Sequence, residues 1–162
     1  MIALIRTATV LLVTLTLTAC LDPSDRRPGM WLSGEVVAEL PADWSFSDAH
    51  KEIAIEVATP YLLPHSVTIW CAALDGALYV GARDPDTKRW PAWVDDDPEV
   101  RLGIGGKVYE VVLAPLDEKA DAVTLERLRA AYALKYALPA VPAGAPPGAI
   151  PPTRYWRVGP RG

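Results

Sequence analysis

Histidine and cysteine are almost missing from this 162-residue chain, which holds two of each. A structural zinc site needs four such ligands at short, repeated spacings, and His50, His65, Cys20 and Cys71 offer none. Two histidines outside any motif give no ground for a Ser/His/Asp arrangement either. Positive charge is scarce as well: 16 Lys and Arg against 20 Asp and Glu leave a net charge of −4. Nucleic acid demands clustered cations for its phosphates, so it is excluded as a partner. No apolar run is long enough to span ~30 Å of hydrocarbon at 1.5 Å per residue, and threonines dilute the longest one, at the N-terminus. No internal repeat is visible.

What the N-terminus does hold is ordered. A short start bearing Arg6 leads into the uncharged stretch Thr7 to Leu17, then Thr18-Ala19-Cys20. Charge, apolar core and small residues form the pattern of an export signal. A cysteine directly after the small residues resembles the bacterial lipobox. The resemblance implies diacylation of the Cys20 thiol, cleavage before Cys20 and acylation of the new amino terminus. Residues 1–19 are then a signal peptide, and several buried acyl chains anchor stably where one is marginal. The expected location is the cell envelope, on a membrane surface. Leu21 is not the aspartate that retains some lipoproteins at the inner membrane, which favours the outer membrane in a Gram-negative cell. With Cys20 consumed by lipid, Cys71 stands alone and no disulfide forms within the domain. Its apolar strand surroundings mark it as a small buried hydrophobe.

Half of the chain is apolar (51%), enough for one sizeable core. Residues 20–43 read as a lipidated tether, proline-broken over LDPSDRRPGM, and a lead-in to the domain. From Lys51 the hydrophobic period is two: Ile53, Ile55 and Val57 alternate with Glu52, Ala54 and Glu56, which predicts a half-buried strand. Asp75-Gly76 then joins residues 66–74 to 77–83 in a hairpin with a two-residue type I′ turn. Its register opposes Ala72 to Tyr79, Trp70 to Gly81 and Thr68 to Arg83 on one face. Val67, Ile69, Cys71, Leu78, Val80 and Ala82 form the other face and look into the core. A solvated face seldom carries Trp70 and Tyr79 together, so a cover is expected: a helix of the same chain, a second subunit or a ligand.

Residues 84–99 make a polar crossing with one or two helical turns before Pro98, and the Asp95–Asp97 run reads as an exposed, capping turn. A second hairpin, residues 100–104 and 107–114, turns at Gly105-Gly106. It opposes Arg101 to Glu110 as a cross-strand ion pair, with Leu102 against Tyr109 and Val100 against Val111. Asp121 then caps a helix whose apolar stripe is Leu125, Leu128, Tyr132 and Tyr136. The helix stops at Leu138-Pro139. Residues 139–152, with six prolines, form an extended connector. Arg154 to Val158 resume strand character and are expected to return to the sheet. The fold class is thus mainly β, a small antiparallel barrel with one packed C-terminal helix.

The ordered set Thr68-Ile69-Trp70, Asp75 to Val80, Lys88-Arg89-Trp90, Asp97 to Leu102 and Gly105 to Glu110 resembles the split-barrel superfamily. That group includes pyridoxamine-phosphate-oxidase-like proteins and deazaflavin-dependent nitroreductases. Tyr132, Lys135-Tyr136 and Tyr155 to Val158 are most similar to its small uncharacterised branch. The split-barrel domain is placed at residues 44–162. The resemblance implies a homodimer with FMN or a deazaflavin at the subunit interface, reducing a small organic substrate. Carried over, Arg83, Lys88 and Arg89 supply cations to the cofactor phosphate, and Trp90 packs on the ring. It names no catalytic residue. Asp84, Asp86 and the Asp95–Asp97 run depart from the cation-rich pattern, since like charge near a phosphate costs affinity. The alternative is a barrel without cofactor that serves as a binding or assembly module through the Trp70/Tyr79 face.

Overall fold

A computed structural model describes residues 29–139 and 151–162. The signal peptide, Cys20, the first part of the tether and residues 140–150 of the connector lie outside the described residues. Seven strands and two α-helices follow in chain order: β1 (Glu35–Val36), β2 (Ile53–Val57), β3 (His65–Leu74), β4 (Ala77–Arg83), α1 (Trp90–Asp96), β5 (Glu99–Ile104), β6 (Lys107–Pro115), α2 (Ala122–Tyr136) and β7 (Thr153–Gly159). Short 3₁₀ turns occupy Ser45–Ala49 and Pro85–Thr87.

Six strands close into an antiparallel barrel in the order β6-β5-β2-β3-β4-β7, with β7 returning to β6. Closure depends on the length of β6. Its residues 107–112 pair with β5, and its residues 112–115 pair with β7. The N-terminal end of β6 takes β1 in parallel register, Glu35 to Lys107 and Val36 to Val108, as a strand outside the barrel. The returning terminal strand expected from sequence therefore completes the cylinder, which removes the open edges a sheet must otherwise protect.

Both hairpin turns follow from their residues. Asp75 and Gly76 have φ of 52° and 76°, and Gly105 and Gly106 have 59° and 81°. Two consecutive positive angles define the type I′ turn whose twist matches the flanking strands. The registers follow: Trp70 opposes Gly81, Ala72 opposes Tyr79, Arg101 opposes Glu110 and Leu102 opposes Tyr109. Alternation then sends Ile55, Cys71, Leu78, Val80, Val100, Leu102, Val111 and Trp156 into the lumen, where all are essentially inaccessible. Burial raises the Cys71 thiol above its ordinary pKa and keeps it neutral.

One local expectation needs correction and another an addition. β2 is buried along its whole length, not on one face. The reason is the lead-in, which lies over the barrel wall: Leu32 packs on Ala54 and Val108, and its N–H donates to the Glu56 carboxylate. Arg101 keeps its cross-strand partner and gains a second. Register sets it opposite Glu110, with its Nε 3.8 Å from that carboxylate as a loose ion pair. Its Nη1 also donates to both Glu56 oxygens, at 2.9 and 3.0 Å. β5 lies between β2 and β6, so one arginine faces two carboxylates and closes on the more buried one.

Asp121 stands at the N-cap position of α2 but its side chain caps no helix amide. Its carboxylate accepts the Asp117 N–H at 2.9 Å, while Asp117 accepts from Lys119 and Ala120 at 2.8 Å each. These N–H bonds hold the Asp117 carboxyl below the usual carboxylate range. The helix ends where Ala137 turns left-handed, just ahead of Pro139. No helix among the described residues is long and apolar enough to cross a membrane.

Candidate functional site

The cover over the Trp70/Tyr79 face is α2 of the same chain. Leu125, Leu128 and Tyr132 pack on Ala72, Tyr79 and Tyr155. Tyrosine hydroxyls fix the helix to the sheet by bonding main-chain groups. Tyr132 Oη donates toward the Trp70 and Tyr79 carbonyls at 3.1 and 3.3 Å. Tyr136 Oη accepts the Cys71 N–H and donates to the Cys71 carbonyl, both at 2.9 Å. Its ring stacks on Trp70 with centroids 4.2 Å apart and planes 8° from parallel. Burial raises the phenols of Tyr132, Tyr136 and Tyr155, which stay protonated well into the alkaline range.

α2 does not fill the face. Beside its C-terminal half a cavity of about 540 Å³ remains, bounded by β3, β4, the start of β7 and residues 138–139. That lies within the ~300–1,000 Å³ common for small-molecule pockets. Pairing of three strands builds its floor. Trp70 on β3 opposes Gly81 on β4, and Gly81 opposes Tyr155 on β7. The glycine between them lets the Tyr155 ring and the Tyr132 hydroxyl close onto the strand. A β-carbon there would sit 3.0 Å from the Tyr155 ring and 3.3 Å from Tyr132 Oη.

Two residues further along the same face the chemistry turns polar. Arg83 opposes Thr153 there, and Thr68 lines the cavity beside them. Lys88 and Arg129 complete a set of three cations on the lining, against the single carboxylate of Glu52. Lys88 Nζ donates to the Arg83 carbonyl, which folds the loop after β4 back onto the strand. Arg129 holds Glu118 through two contacts of 2.9 Å, and Arg83 Nε is 3.5 Å from Asp84. The arginine side chains remain about half exposed or more.

Of the residues singled out in the sequence, Arg83, Lys88 and Trp90 line this one cavity. Trp90 does so from the core, 4% exposed, its ring centroid 5.1 Å from that of Trp156. Arg89 stands exposed at the N-cap position of α1 and is not part of the lining. Asp84 and Asp86 are also absent from the lining, and Asp95 is engaged by Arg154 through a two-point contact. Sequence reasoning passed over Arg129, Glu52 and Thr153. A signal for Arg129 existed: with Tyr132, Ala133 and Tyr136 it continues the stripe that buries Leu125 and Leu128, at steps of three and four. Among the described residues no group of three or more His, Cys, Asp or Glu side chains is placed to hold a metal.

No family model matches the chain, and no curated protein is similar enough to match. Solved structures do. A conserved hypothetical protein from Mycobacterium tuberculosis superposes with a TM-score of 0.56 at 16% identity, covering 78% of this chain and 86% of that one. A protein of unknown function from Agrobacterium tumefaciens gives 0.53 at 14% identity, covering 77% of this chain and 58% of that one. A FAD-binding protein from Mesorhizobium loti gives 0.49 at 14% identity, covering 70% and 81%. The likeness to the first two is one of fold. At that level it agrees with the split-barrel resemblance of the sequence: a closed six-stranded antiparallel barrel with one strand outside and two helices.

Proposed function

We propose that the cavity beside α2 binds a flavin-type cofactor, FMN or a deazaflavin, in a protein anchored to the cell envelope by lipid at Cys20. One observation carries the reading. The cavity floor changes from an aromatic row, Trp70, Gly81 and Tyr155, to a polar row with Arg83 and Thr153 within two residues of strand. A ligand with a planar apolar body and an anionic tail matches that change. Trp70 and Tyr155 on the lining offer aromatic contact to that planar body. Arg83, Lys88 and Arg129 supply charge-assisted donors to a phosphate, and Arg89 approaches the same charge from solvent. When bound, such a group supplies electron or hydride transfer to a small organic substrate. The chain's own part is to hold the ring, exclude water from one of its faces and neutralise the tail. A homodimer, as the split-barrel resemblance implies, would close the open side of the cavity.

A second reading is favoured by one feature. Each cation already has an acceptor within the chain, and Tyr136 already stacks on Trp70. A cofactor-free barrel that binds an apolar partner in the same cavity accounts for both. Absorbance separates the two. The purified protein is titrated with FMN or a deazaflavin while tryptophan fluorescence and the flavin bands are followed. Saturable quenching with a shifted visible band supports the cofactor reading, and an unchanged spectrum with unquenched tryptophan removes it.

A further inference from the structure

At the end of the barrel where β2 turns into β3 lie apolar side chains that nothing among the described residues covers. The loop Ala58 to Pro64 contains no charged residue. Leu62 is 92% exposed, and Tyr61 and Leu63 are about half exposed. The loop is built to hold them outward. Leu62 N–H donates to the Thr59 carbonyl at 3.1 Å and Thr59 Oγ1 to the Leu63 carbonyl at 2.6 Å. Leu62 itself sits at φ 64°, a left-handed conformation that side-chain-bearing residues adopt at a cost. From behind, Trp93 braces the loop through edge contacts with Tyr61 and His65, at centroid distances of 5.9 and 5.4 Å.

The first described residues adjoin this loop. Ser66 N–H donates to the Gly29 carbonyl at 2.9 Å, and Ser66 Oγ to the Met30 carbonyl at 2.7 Å. Met30 and Trp31 are exposed too. The chain therefore meets the domain beside the loop, and only residues 21–28 separate this point from Cys20. Fully extended, they reach ~30 Å, about one domain diameter. They carry two acidic and two basic residues, so the tether has no net charge to prefer anionic lipid.

The geometry points to Trp31, Tyr61, Leu62 and Leu63 as a membrane-docking face that enters the headgroup region of the bilayer holding the acyl chains. This inference rests on the acylated Cys20 proposed above. Tryptophan and tyrosine belong at that depth because each has an apolar body and a polar tip. Leucines beside them add apolar area removed from water. The short tether keeps the face at high effective concentration against the lipid, so a modest surface suffices. Docking would orient the barrel with β2–β3 toward the membrane.

The test uses the protein purified from its membrane and returned to phosphatidylcholine vesicles. The mass of the N-terminal fragment reports acylation. An environment-sensitive fluorophore on Leu62→Cys reports docking, with Val123→Cys on α2 as the control, since Cys71 is buried. Blue-shifted emission at position 62 and none at 123, reduced about tenfold or more in docked fraction by Leu63→Asp, is the expected result. An acylated protein whose label at 62 stays in water overturns the docking face while leaving the anchor intact. A fragment mass without lipid refutes the anchor, and the docking face falls with it. A shift that requires no vesicles and grows with protein concentration assigns the face to a second copy, and also overturns the inference.

Discussion

The two sides of the barrel wall are made from the same strands and solve different problems. The lumen is filled mostly by aliphatic side chains in alternation, with Trp90 tilted against Trp156 among them. The outer face under α2 is filled by aromatics whose hydroxyls bond main-chain carbonyls and amides, and it keeps a cavity of about 540 Å³. Aliphatic packing has no polar obligations and can close completely. A tyrosine must place its hydroxyl as well as its ring, so the layer it builds is fixed at a few points and open between them. The lumen is where stability resides, and the outer face is where a ligand can enter.

Substitutions on the two sides should separate these roles. Leu102→Ala in the lumen, at 0% exposure, is expected to cost about 2–5 kcal/mol through lost transfer energy and a cavity. Trp70→Ala on the outer face removes a stacked but partly exposed ring and should cost only about 1–2 kcal/mol. Chemical denaturation of both variants measures the gap, and equal losses would erase the distinction. Glu56→Ala leaves Arg101 and the Leu32 amide without their acceptor on the covered wall. It should cost about 3 kcal/mol, and the matching Glu110→Ala less than 1 kcal/mol because that carboxylate is exposed.

Alkaline pH should loosen the outer face selectively. Burial raises the folded-state pKa of Tyr132, Tyr136 and Tyr155. The unfolded chain releases those protons at about 10, earlier than the folded one. Their contribution to stability is fully present below about pH 10 and is lost as pH rises through the folded values. Denaturation midpoints against pH, with tyrosinate absorbance, should show the loss, and Tyr136→Phe should reduce its steepness. The smallest effect is expected at Gly81. Gly81→Ala presses a methyl against Tyr155 at 3.0 Å, for about 1 kcal/mol and a clear loss of ligand uptake.

The lumen was far more legible in the sequence than the outer face, for physical reasons. Asp75-Gly76 and Gly105-Gly106 admit few turn types, and a turn type sets the register of every residue in its hairpin. Lumen composition then follows from a period of two. β2 was read as half-buried because its outer neighbours, Leu32 and the lead-in, come from 20 residues away and carry no periodic signal. The Arg101–Glu110 pair follows from hairpin register, while the closer contact to Glu56 does not, because register sees one neighbouring strand and β5 has two. In the site, Arg83, Lys88 and Trp90 lie within eight residues of each other and could be grouped by eye. Arg129 and Thr153 reach the cavity only through the packing of α2 and the return of β7, which spacing along the chain does not encode.

The most direct test compares FMN with riboflavin, which lacks the phosphate, on the native protein and on Arg83→Ala by calorimetric titration. If the polar row holds the phosphate, riboflavin binds the native protein about tenfold or more weakly than FMN. Arg83→Ala then weakens FMN but leaves riboflavin unchanged, a non-additive cycle. Equal affinities for the two ligands, a cycle that adds, or no saturable binding of either would contradict the account.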